Sequence, residues 1–163
     1  MNEELNEVPV SQRLAELGVT LPAVPTPVAA YVPAITASGQ VITSGQLPFV
    51  DGKLPATGKL GAEITVAQGQ ELARIAALNA LAAAASVVEG VDGLRRILKL
   101  TVYVNSAPGF TDQPAVANGA SEFLIQVFGS RGRHARTAIG VAELPMNTPV
   151  ELDLVAEANA ASF

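Results

Sequence analysis

The chain of 163 residues is long enough for one domain with a substantial core, and its 49% apolar and 15% charged residues are far from a disordered composition. A net charge of −5 with no lysine or arginine run argues against nucleic-acid or anionic-membrane partners, because phosphate binding requires clustered positive charge. With no cysteine, an acidic start and no long apolar stretch, disulfides, thiolate metal sites, secretion and membrane spanning are not expected, and cytoplasm is the default location.

PVSQRLAELG, residues 9–18, predicts a short helix in which Ser11 caps, Leu14 and Leu17 lie three apart, and Gly18 closes in the left-handed conformation. Three prolines between Leu21 and Pro27 remove donors and fix φ, so this stretch reads as an extended connector. Residues 1–27 are therefore an N-terminal extension, and residues 28–163 the main domain.

Two β-prone runs follow, Val28 to Thr36 and Gln40 to Ser44, joined through Ala37-Ser38-Gly39 as a hairpin. After a turn-rich segment, Thr65 to Gln68 matches a capping box. From Val66 to about Glu89, Leu72, Ile75, Leu78 and Leu81 form the apolar stripe of a helix that stops at Gly90. Period-two alternation over Leu94 to Val104 predicts a strand burying Leu94, Leu98, Leu100, Val102 and Val104.

Val116, Ala120, Phe123, Leu124 and Val127 then fit one helical face, closed by Gly129. The last two strands are Arg136 to Ala142 and the alternating run from Val150. The order β-β-α-β-α-β-β predicts an α+β sandwich with helices on one face of a mixed sheet.

Few residues offer chemistry. His134 is the only histidine, and no pair of carboxylates stands at helical spacing beside another plausible ligand, so no metal site is expected. The glycine-rich stretches match neither phosphate-binding fingerprint, and no G-x-S-x-G elbow is present. Arg136, at the start of a strand, reads either as a structural cation or as a bidentate partner for a small carboxylate. Glu151 lies on the parity opposite Val150, Leu152 and Leu154, so it is either a solvent-facing charge or a holder of water. His134 sits in a polar loop and reads as a solvated neighbour.

ITSGQLP at 42–48, LTVYVNS at 100–106 and ARTAIGVAELPMNTPVELDLVA at 135–156 together resemble, in order and spacing, the RidA (YjgF, L-PSP) family over about Val28 to Ala158. The resemblance implies a chorismate-mutase-like fold in a homotrimer with ligand clefts between subunits. It also implies a cofactor-free imine/enamine deaminase that converts small 2-imino or 2-enamino acids into 2-keto acids and ammonia. At the matching positions, Arg136 and Glu151 would be catalytic, holding the substrate carboxylate and a water. Tyr31, Ser44, Gly45, Asn118 and Ala138 would line the cleft. His134 and Ala138 stand where the family usually has a small residue or proline, and often a cysteine, which marks a diverged subgroup. Two other readings stay open: a non-catalytic trimer binding a small carboxylate, and, more weakly, an endoribonuclease.

Overall fold

The computed structural model describes residues 8–24, 26 and 30–160. Its regular elements are α1 (Val10–Glu16), β1 (Ala34–Ala37), β2 (Gln40–Thr43), α2 (Val66–Ala85), β3 (Leu94–Asn105), α3 (Gln113–Phe128), β4 (Ala135–Val141) and β5 (Val150–Ala158). The strands form one mixed sheet in the order β1-β2-β5-β3-β4. Only the β3–β4 pairing is parallel, and α3 supplies its crossover, since parallel neighbours cannot be joined by a tight turn. This is the α+β arrangement expected from the order of elements. Among the described residues, no helix is long and apolar enough to cross a membrane.

Local chemistry starts each element. Ser38 and Gly39 both take positive φ, of 49° and 77°, the two-residue turn whose twist matches a β1–β2 hairpin. The hairpin is shorter than expected, because β1 begins only at Ala34; Val28 and Ala29 lie outside the described residues. At α2 the capping box forms: Gln68 N donates to Thr65 Oγ1 at 3.2 Å, and Thr65 N donates to Gln68 Oε1 at 2.8 Å. Ser11, by contrast, does not cap α1. It lies inside the first turn, and its amide and hydroxyl donate to Asp92 at 2.9 and 2.5 Å, so a distant acid satisfies this helix start. Val10 and Leu14 of α1 enter the common core, whereas Leu17 is exposed.

Alanine, rather than the larger side chains, forms most of the inner face of α2. Ala73, Ala76, Ala77 and Ala80 are fully buried beside Leu72 and Leu81, while Ile75 and Leu78 are half-buried, and the helix ends at Ala85. Small residues bring α2 very close to α3. A Cβ at Gly119 would stand 2.0 Å from the Gln70 carbonyl oxygen, and one at Gly69 would stand 2.8 Å from Leu60 Cδ1. The buried positions expected on α3, Val116, Ala120, Phe123, Leu124 and Val127, are all in the core.

β3 departs from simple alternation. Register shifts between Leu94 and Arg96 and between Ile97 and Lys99 put Ile97 in the core and leave Leu98 only half-buried, because a bulge changes which side chain faces inward. Beyond Lys99 the alternation is regular. Leu100, Val102 and Val104 on β3, and Val150, Leu152 and Leu154 on β5, face the helices. Thr101, Tyr103, Glu151, Asp153 and Val155 take the opposite face, continued by exposed Ile35, Ile42 and Ile139.

At the end of β3, buried Asn105 ties the chain together. Its Nδ2 donates to Asn147 Oδ1 and to the Thr148 carbonyl, both at 3.1 Å, and its Oδ1 accepts from Lys59 Nζ at 2.9 Å. The loop that precedes β5 is held by these bonds, and with it the start of the strand that carries Glu151.

The tightness of the α2–α3 crossing is testable. Gly119→Ala should force the helices apart and lower stability by about 3 kcal/mol in denaturant unfolding, the upper range for overpacking. A change below about 0.5 kcal/mol, the level of an ordinary surface substitution, would contradict the close approach.

Candidate functional site

Two polar groups of side chains stand on this framework, one on each face of the sheet. Arg136 pairs in register with Leu100, and this parity turns it toward the helices. There, Asn118 and Ser121 lie three residues apart on α3, so both point at the same strand. Arg136 Nη1 donates to Asn118 Oδ1 at 2.8 Å and to Ser121 Oγ at 3.2 Å. Ala138 follows on the same side of β4, half-buried opposite Val102.

His134 joins this group rather than standing in solvent. It is half-buried, its Nδ1 lies 2.6 Å from the Gly132 carbonyl oxygen, and its Nε2 lies 3.0 Å from Ser121 Oγ. A carbonyl only accepts, so Nδ1 carries the proton. Burial, followed by the positive charge of Arg136, pushes the imidazole below its ordinary value against the opposing pull of the Gly132 bond, and favours the neutral ring.

Glu151 belongs to the second group. It pairs with Tyr103, three residues beyond Leu100 on β3, and therefore faces away from the helices. Gly45 lies under its carboxylate: a Cβ there would stand 2.0 Å from Glu151 Oε1. Ser44 is anchored by its hydroxyl, which donates to the Val32 carbonyl at 2.6 Å, next to exposed Tyr31. Gln46 returns to β5 through backbone bonds to Leu152 of 2.7 and 3.0 Å. Ser44, Gly45 and Glu151 thus lie together, with exposed Tyr31 one residue before Val32.

The electrostatics of this second group favour protonation. Burial first, and then the neighbouring charge of Asp153, raise the Glu151 carboxyl above its ordinary value. Burial also raises Asp153, although the Tyr103 hydroxyl bond and Lys99 partly offset it. The Tyr103 hydroxyl is raised in turn by burial and by Asp153.

Within one chain, then, the site residues fall into two sets. Arg136, Asn118 and Ala138 lie on the helix side at β4, an edge strand. Glu151, Gly45 and Ser44 lie on the other side at β5 and β2. β3 separates Arg136 from Glu151 by two strand spacings, about 10 Å, and the sheet itself stands between them. One small ligand cannot touch both in a single chain.

Ser121, His134, Tyr103 and Asp153 were not singled out from the sequence as site residues. The three-residue spacing of Asn118 and Ser121, which puts two polar side chains on one turn of the helix, is the signal that could have found Ser121. Among the described residues, no group of three His, Cys, Asp or Glu side chains is arranged to hold a metal ion.

Residues 11–158 match the family model described as "YjgF/chorismate mutase-like, putative endoribonuclease". Protein TCP17 of Trypanosoma cruzi is 44% identical over 151 residues, which cover 92% of this chain and 94% of that protein. The crystal structure of Atu1372 from Agrobacterium tumefaciens, a protein of unknown function, superposes with a TM-score of 0.85 at 41% identity, covering 92% of both chains. The structure of E. coli TdcF with bound serine shares the fold, with a TM-score of 0.61 at 24% identity over 86% of this chain and 96% of that one.

Two expectations follow from the geometry. Gly45→Ala should fold normally, because the clash is with the far end of a flexible side chain. It should nevertheless displace the Glu151 carboxylate, seen as a changed Glu151 titration by NMR; an unmoved titration would contradict the contact.

The raised carboxyls also carry a stability sign. The folded chain binds these protons more tightly than the unfolded chain. Stability is therefore full below the ordinary carboxylate range and declines as pH rises through the raised values. Glu151→Gln should accordingly raise Tm by a few degrees near pH 7 and leave it almost unchanged near pH 4. Equal shifts at both would contradict this.

Proposed function

The chain belongs to the YjgF/RidA/L-PSP family, and on that premise we propose that it is an imine/enamine deaminase acting in clefts between the subunits of a homotrimer. Its substrates are small 2-imino or 2-enamino acids, and its products are 2-keto acids and ammonia. The observation that carries this reading is the split site: Arg136 at a sheet edge on one face, and Glu151, with a raised carboxyl, on the other. A second copy of the chain completes each cleft by setting the edge of one subunit against the open sheet face of the next. The apolar side chains Ile35, Ile42 and Ile139, exposed on that face, suit such a contact.

An imine carbon is already electrophilic, so the reaction needs a held carboxylate and a placed water. Arg136 takes the carboxylate by charge-assisted hydrogen bonds, and Asn118 holds the guanidinium. Glu151 accepts a proton as water oxygen bonds to the imine carbon, and the nitrogen takes up a proton. The C–N bond then breaks, ammonia leaves, and the remaining hydroxyl loses its proton to give the keto group. A carboxyl raised above its ordinary value by burial holds that proton more firmly and can return it to the nitrogen. The backbone at Ala138, on the edge strand, gives the water a second hold, while Tyr31, Ser44 and Gly45 line the Glu151 side. Bound serine in E. coli TdcF supports a small amino-acid-like carboxylate as the ligand type.

The test is semicarbazone formation from imines generated by an amino-acid oxidase. Wild-type protein should lower the trapped imine. Glu151→Gln should reduce kcat on the order of 100-fold with little effect on KM, and Arg136→Ala should raise KM on the order of 10- to 100-fold. Saturable 2-keto acid binding without acceleration for any imine would replace the enzyme with a carboxylate-binding module.

A further inference from the structure

Arg136 is held by more than its direct neighbour. Ser121 has one hydroxyl proton and two acceptor positions. Its oxygen accepts from Arg136 Nη1 at 3.2 Å, and its proton faces His134 Nε2 at 3.0 Å. His134 accepts that proton because its own is committed through Nδ1 to the Gly132 carbonyl at 2.6 Å. The donor directions form one consistent chain: guanidinium to hydroxyl, hydroxyl to imidazole, and imidazole to backbone. Gly132 itself is packed against the backbone of α3, where a Cβ would meet the Leu124 carbonyl oxygen at 2.4 Å. The chain therefore ends on a fixed point of the fold.

Both hydrogen bonds of Arg136 leave from Nη1. Among the described residues, its Nε and Nη2 make none. We propose that Ser121 and His134 are positioning residues for Arg136. With Asn118 they immobilise Nη1, and so present the planar Nε–Nη2 edge to one carboxylate of a small 2-oxo or 2-imino acid. This inference rests on the deaminase reading for its ligand. It adds that a neutral, Nδ1-protonated histidine sets the aim of the guanidinium from two hydrogen bonds away. The imidazole value held below its ordinary range supports the neutral ring.

Three variants test this: Ser121→Ala, His134→Asn and His134→Gln. Asparagine can keep the bond to Gly132 but offers Ser121 no acceptor, whereas the glutamine oxygen can reach the place of Nε2. Pyruvate binding by calorimetry, and KM for 2-iminopropanoate, should weaken on the order of tenfold in Ser121→Ala and His134→Asn, the loss expected for one hydrogen bond to a charged group, with kcat within twofold. His134→Gln should restore values to within about threefold of wild type. Unchanged binding in the first two variants, or no rescue by glutamine, would overturn the inference.

Nitrogen-resolved NMR of the Arg136 guanidinium in ligand-free protein separates this from failure of the deaminase reading. Restricted rotation is expected in wild type and His134→Gln, and averaged signals in the other two. Free rotation in all four would overturn the inference even if pyruvate binds. A wild-type protein that binds no pyruvate, yet keeps this NMR pattern, would instead sink the deaminase reading.

Discussion

The alternation of side chains along β3 between Leu100 and Tyr103 is the constraint on which the rest of the site depends. Leu100 faces the helices and carries Arg136 with it through the parallel pairing to β4. Tyr103 faces the other way and carries Glu151 through the antiparallel pairing to β5. Because a strand has a period of two, no rotamer of either side chain can cancel this separation. The sheet thus divides the proposed chemistry into an anion-holding half at an edge and a proton-handling half on an open face.

Each half is prepared by its own surroundings. On the helix side, the close packing of α2 on α3 at Gly119 fixes the helix that presents Asn118 and Ser121. On the open side, Gly45 makes room for the Glu151 carboxylate, and the nearby Asp153 charge adds to burial in raising it. Asn105 and Lys59 hold the loop from which β5 emerges, so the start of that strand is anchored within one residue of Glu151. A site of this kind needs only placed charges and a placed water, the sort of chemistry that a cysteine-free chain with one histidine can support.

Much of this was legible in the sequence where one rule dominated. The capping box at Thr65, the apolar face of α3 and the alternation of β5 each follow from spacing alone, and each is present. The readings missed where a distant partner overrode a local signal. Asp92 takes both the amide and the hydroxyl of Ser11, which lies inside α1 instead of capping it, and the bulges in β3 exchange Leu98 for Ile97. Burial in α2 follows close backbone approach rather than side-chain size, so its alanines lie deeper than Ile75 and Leu78. For Arg136 and Glu151, parity within single strands left both as possible surface charges, and only pairing across β3 assigns their faces. His134 looked solvated because its partner, Ser121, lies on another element.

The central claim, that one catalytic cleft draws Arg136 and Glu151 from different chains, is tested most directly by mixing two impaired variants. Arg136→Ala and Glu151→Ala chains, each strongly impaired alone in the imine-trapping assay at imine concentrations below the wild-type KM, should regain activity when unfolded and reassembled together. In a head-to-tail ring mixed at random in equal amounts, roughly a quarter of the clefts would receive both intact residues. Recovery approaching that level is the result predicted. A mixture that assembles normally and shows no more activity than its parents would contradict the account.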